Sequence, residues 1–262
     1  MEMYIKPSGE ERQVRSLETV AVAGAPIAYI VVLAGVVMVL AGIPFSVMLG
    51  AGNGFPLSQA IYPLVGWILG PVAGALAAGV GGLLGVFLFP QNSAVPIATV
   101  LGAVAGGFAG GILGGKGRWA AWGLPIAVFF GVVYAFYAGS AIVLNGVDGG
   151  IFLLASFINW SALALFVLPT RKLFRSWLSS ADLKRVTPAL FLGTWCVAGL
   201  SHLTAAFIVY QVMGWPDFVW ASMIPVSPLE HLMRAAVGAV IGSGVLAGLR
   251  AVGLVKPKYA AY

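Results

Sequence analysis

The 262-residue chain is 60% hydrophobic, has a mean hydropathy of +1.00, contains 36 glycines, and has only 8% charged residues. A single soluble core of this length cannot bury so much apolar surface, so a water-soluble globular protein is excluded and an integral membrane protein is expected. The net charge of +6 follows the placement of membrane loops rather than a nucleic-acid surface, and the lone Cys196 permits neither an intramolecular disulfide nor a cysteine metal cluster.

In chain order, residues 1–20 read as a polar N-terminal tail of mixed charge, without the apolar stretch of a cleavable signal peptide. The first span is therefore expected to act as its own targeting signal. Apolar runs long enough to cross ~30 Å of hydrocarbon at ~1.5 Å per residue lie at about 22 to 43, 94 to 115, 121 to 144, 150 to 169, 187 to 212 and 228 to 250. Between the first two, residues 57–89 are apolar throughout but are interrupted by Gly70-Pro71. Proline has no amide hydrogen and disfavours helix in the residue before it, so this stretch reads as a short helix and a longer one forming a hairpin. The first piece, ending at Gly70, is short for a full crossing and reads either as a short span or as half of a re-entrant loop. The fold class expected is thus all-α: a polytopic membrane bundle of six to eight helices. A single transmembrane domain over 21–252 is followed by a tail at 253–262.

Orientation follows from the basic residues. Lys6, Arg12 and Arg15 precede the first span; Lys116 and Arg118 follow the run ending at 115; Arg171, Lys172, Arg175, Lys184 and Arg185 separate two later runs; Arg250, Lys256 and Lys258 close the chain. If the helices alternate, every Lys and Arg except Arg234 falls on one side. The opposite loops, at 44 to 56, 90 to 93, 145 to 149 and 213 to 227, hold Asp148 and Asp217 and no Lys or Arg. The positive-inside rule then places both termini in the cytoplasm of a multi-pass plasma (inner) membrane protein. Gly102, Gly106, Gly110 and Gly114 recur every four residues. Such rows let backbones approach closely in lipid, either within the chain or against a partner.

The stretches "PLVGWILGPVAGALAAGVGGLLG", "VLGAVAGGFAGGILGGKGRW" and "PLEHLMRAAVGAVIGSGVLAGLR" resemble the substrate-binding S components of energy-coupling factor (ECF) transporters. The resemblance covers residues 20 to 115 and 225 to 250, and rests on the style and order of the helices. It implies a small solute, vitamin-like, bound from outside. It also implies partners: a transmembrane coupling subunit and ATPases. The family's first helix carries an Ala-x-x-x-Ala contact for the coupling subunit. Ala21 and Ala25 have that spacing here, although Pro26 follows at once. The chain also supports up to eight crossings where the family has six.

Candidate site residues are few. In "SPLEHLMR", Ser227 as N-cap, Pro228 at the first helical position and Glu230 at the third read as a capping box, with Arg234 one turn further on. Glu230 is then either a helix-start residue or a functional acid at membrane depth. Arg234 either snorkels to the outer surface or turns its donor fork into the bundle toward an anionic solute. His231 reads as a surface side chain. His202 reads as a neutral imidazole with Ser201 and Thr204 as neighbours. Asn159, Trp160, Gln59, Tyr62 and Asn53 are uncharged groups suited to an outward cavity. No catalytic motif, metal ligand set, cofactor motif or ATP-binding loop is present, so no catalytic residue, metal or cofactor is expected. The expected function is a solute-binding subunit driven by partners. The alternatives are a non-catalytic assembly subunit that packs other membrane chains, or a passive channel for small neutral solutes.

Overall fold

The computed structural model describes residues 20–47, 54–252 and 255–262. The chain is a helical bundle with two minimal antiparallel hairpins. Strands β1 (Ala21–Val22) and β2 (Ala25–Pro26) pair through a tight turn at Ala23 and Gly24, both at positive φ. Helix α1 (Ile27–Ala41) follows, then β3 (Pro44–Val47) pairs with β4 (Gly54–Pro56). A 3-10 turn (Leu57–Ala60) leads into the short α2 (Tyr62–Leu69), and α3 (Pro71–Leu88) leaves it at Gly70. Next come α4 (Pro96–Gly114), α5 (Arg118–Ala121) and α6 (Gly123–Ala138), the last of which continues as a π-helical turn at Gly139–Leu144. The chain is completed by α7 (Gly149–Ala155), α8 (Phe157–Val167), α9 (Thr170–Leu178), α10 (Leu183–Met213) and α11 (Asp217–Val252).

Five helical stretches among the described residues are long and apolar enough to cross a membrane: α3, α4, α5–α6 with its π turn, α10 and α11. A sixth comes from α7 and α8 if that pair, bent by 66° about Ser156, is one broken span. Their outer faces are strongly apolar. Phe87 is 74%, Val143 79% and Val240 72% exposed, as expected of side chains that face acyl chains instead of water. The chain is thus a multi-pass membrane protein.

The break expected at Gly70-Pro71 is present. Gly70 has φ +85° and ψ 176°, a region open essentially to glycine alone, and a Cβ there would strike Tyr259. The hairpin crosses the bundle. At one end, Asn92 donates to the Ala41 carbonyl; at the other, Gly70 meets Tyr259. The 3-10 turn and α2 together rise only ~20 Å, yet every residue of α2 is buried. Irregular backbone is tolerated at membrane depth only where protein covers it. Here α1, α3, α4 and α10 cover α2, and α11 covers the 3-10 turn, with Gly66, Gly74, Gly107 and Gly111 removing the side chains that would keep the backbones apart.

Three expectations change. Ala21 and Ala25 lie on the β1–β2 hairpin, so the helical face their spacing implied does not form. Pro26 disfavours helix at Ala25, and Gly24 completes the turn. The last helix does not start at Ser227: α11 begins at Asp217 and runs through Pro225 and Pro228. Trp220, wedged among Tyr137, Phe152, Tyr210 and Trp215, holds its first turns in place, so tertiary packing overrides the local capping pattern. Ser227 is consequently a buried mid-helix residue, and the loop expected at 213 to 227 shrinks to the turn before Asp217. The tail at 255–262 folds back onto the bundle, with the Lys258 amide donating to Gly24 and the Ala261 amide to Trp67.

Candidate functional site: a buried arginine and its imidazole partner

Helix α11 places Arg234 at its middle, 17 residues from Asp217 and 18 from Val252. The side chain is 2% exposed. It therefore does not snorkel, and it lies far deeper than one turn below a surface. One turn on, Gly238 lets α11 close onto the Ala60 carbonyl and Thr194. This brings Arg234 beside the junction between the 3-10 turn and α2.

His231 lies one turn before Arg234 and is fully buried, not at the surface. Arg234 Nη1 lies 3.2 Å from His231 Nδ1, and His231 Nε2 lies 2.8 Å from the Trp195 carbonyl. A guanidinium only donates, so Nδ1 accepts; a carbonyl only accepts, so Nε2 carries the proton. The imidazole is thereby held neutral in one tautomer by its two neighbours. The Trp195 ring packs edge-on against it at 4.6 Å between centroids, and Trp195 Nε1 donates to Ser161. Gly199 lets α8 approach α10 beside the His231 ring.

Around this pair, His202 Nδ1 lies 3.0 Å from Asn159 Oδ1. As placed, the amide oxygen accepts and the imidazole donates. Tyr62 shares a hydrogen bond with Ser58 at 3.0 Å. Tyr62, His202 and half-buried Glu230 all lie within electrostatic reach of Arg234. Arg234, Glu230, His202, Asn159 and Tyr62 thus gather around one buried centre. The expected neighbours of His202 look elsewhere: Ser201 donates to the Gly102 carbonyl and Thr204 to Leu200.

The remaining candidates fall outside this centre. Trp160 is on the outer face, 36% exposed, with its Nε1 donating to Leu153. Gln59 is half-buried on the 3-10 turn, and Asn53 lies outside the described residues. Gly102, Gly106, Gly110 and Gly114 are buried against Ser201, Tyr62, Pro63 and Ala261 respectively, so the row packs within the chain and presents no face to a partner.

Sequence reading missed Trp195, Ser58 and the position of His231. Trp195 precedes His202 by seven residues, two turns on the same face, and His231 and Arg234 are three apart on the helix that packs against it. That periodicity carried the signal. A ring cluster at the other end also went unread: Tyr137, Phe152, Tyr210, Trp215 and Trp220, with Asn145 donating to Tyr210 at 2.7 Å.

Chemically, the centre offers one fixed cation with a donor fork, two imidazoles, an amide and a phenol, with a carboxylate at its edge. The guanidinium fork has the geometry that carboxylates and phosphates accept. Comparison with family models, curated proteins and solved structures yields no match to this chain.

Proposed function

We propose that the chain is a membrane-embedded binding subunit for uptake of a small solute, similar in kind to the ECF S components. It would have both termini in the cytoplasm and rely on a coupling subunit and ATPases for energy. The observation that carries this reading is Arg234, buried at mid-helix beside the junction between the 3-10 turn and the wholly buried α2. Ionisable groups at such depth are costly and mark solute or ion sites. Interrupted helices near the middle of the bundle are where transporters build those sites. The Arg234 fork matches a carboxylate or phosphate on the incoming solute, and Glu230 balances its charge when the solute is absent.

The test is non-denaturing mass spectrometry of the protein extracted in mild detergent. Wild type is expected to carry a small-molecule adduct. Arg234→Lys keeps the charge but loses the fork, and should weaken retention by about tenfold or more, the value of one charge-assisted bidentate contact. An adduct unaffected by this change overturns the reading. Purification without any adduct, but with other membrane chains in fixed ratio, favours the alternative of a non-catalytic assembly subunit.

A further inference from the structure

The basic end of the bundle holds a second concentration of charge, separate from the Arg234 centre. Among the described residues, every Lys and Arg except Arg234 belongs to this end, against one acid, Asp182. The Asp182 carboxylate is engaged in capping α10, where it accepts from the Lys184 amide at 2.9 Å.

Here the ends of α9 and α11 and the returning tail enclose an open cavity of about 420 Å³, lined by Ser179, Ser180, Ala181, Leu249, Arg250, Lys256 and Tyr262. Its walls are firmly held. Arg250 donates to the Leu178 carbonyl at 2.7 Å and the Ser180 carbonyl at 2.8 Å, tying α11 to the end of α9. Lys256 Nζ stands 4.6 Å from the Tyr262 ring centroid. Lys116 reaches in from the end of α4, with Nζ 3.5 Å from Ser179 Oγ. Three cations and two hydroxyls lie at or beside the cavity, and none of its lining side chains is a carboxylate. Burial, then the charges of Lys116 and Arg250, lower the Lys256 pKa, so the ammonium is held where like charge repels it. A compact anion with several acceptor oxygens would relieve that repulsion, and phosphate has this character. Beside the cavity, Val252 is 69% and Val255 39% exposed. Apolar side chains at this rim fit acyl chains running up the outside of α11.

We propose that this cavity binds the phosphate of an anionic phospholipid, with Lys256 and Lys116 as its cationic contacts and Ser179 and Ser180 as hydroxyl donors. Arg250 holds the walls together. Basic pockets between helices at a membrane surface recognise headgroups in this way. The proposal does not depend on the solute reading above.

The experiment reconstitutes the full chain in nanodiscs with equal phosphatidylglycerol and phosphatidylcholine, then measures retained lipid by non-denaturing mass spectrometry. Wild type is expected to favour phosphatidylglycerol by about tenfold, the scale of two interfacial lysines. The exposed pair Lys116→Ala/Lys256→Ala should abolish this preference, whereas Lys258→Ala, outside the cavity, should keep it. Equal loss in Lys258→Ala, or no preference in wild type, overturns the proposal. A parallel titration with inorganic phosphate in detergent separates the sources. Saturable, Lys256-dependent phosphate binding without lipid preference replaces the headgroup by a soluble anion and overturns the lipid assignment.

Discussion

Arg234 owes its depth to residues that carry no charge. Gly238, one turn on, lets α11 approach the 3-10 turn, and His231, one turn back, spends one ring nitrogen on the guanidinium and the other on a backbone carbonyl. Asn159 does similar work for His202. Replacing it by leucine leaves a buried imidazole donor without its acceptor, at a cost of ~1–3 kcal/mol. Asn159→Leu should therefore lower the thermal midpoint in detergent by several degrees. Trp160→Leu, one residue along on the lipid face, should change it little. Equal shifts for the two would refute the pairing with His202. Arg234, His202 and Asn159 stood out in the sequence because polar groups are scarce in apolar helices. Their shared location did not, because the capping pattern at Ser227 set the helix start ten residues late and lifted His231 and Arg234 toward the surface.

At the level of elements, helix positions in the sequence were largely readable from the length of apolar runs and the interruption at Gly70-Pro71. The crossing made by the 3-10 turn and α2 was not, since its length falls short of a span and only contacts from the surrounding helices explain it. Nor was the bend at Ser156, a buried residue whose hydroxyl lies 2.9 Å from the Tyr134 hydroxyl, because serine is unremarkable in any helix. Glycine rows were equally ambiguous: the sequence allowed either internal packing or a partner face, and neighbouring backbones decided the matter. A pair of substitutions separates these roles. At Gly111 an added methyl would strike the backbone of Pro71 and Gly70, whereas at Gly131 it meets nothing within 4 Å. Gly111→Ala should cost more than ~3 kcal/mol and deplete folded protein in detergent extracts, as overpacking against rigid backbone does. Gly131→Ala should behave as wild type by size-exclusion chromatography; matching profiles for both would disprove the close approach of α4 to the hairpin.

For the whole molecule, the charge asymmetry and the helix directions give one prediction. Cys196 is buried, so the native thiol is a silent background for surface reporters. In sealed right-side-out vesicles, Gln91→Cys should react with a membrane-impermeant maleimide, while Ala181→Cys should react only after permeabilisation. The opposite pattern would invert the proposed orientation and place the basic cavity outside. The enclosure of α2 also bears on biogenesis. Eight residues with no lipid-facing surface cannot be retained by the bilayer alone, and part of their cover, α10 and the returning tail, is synthesised later. Chains truncated before Leu183 should therefore leave the segment around Tyr62–Leu69 open to added protease, and it should become resistant only once α10 and the tail have emerged from the ribosome.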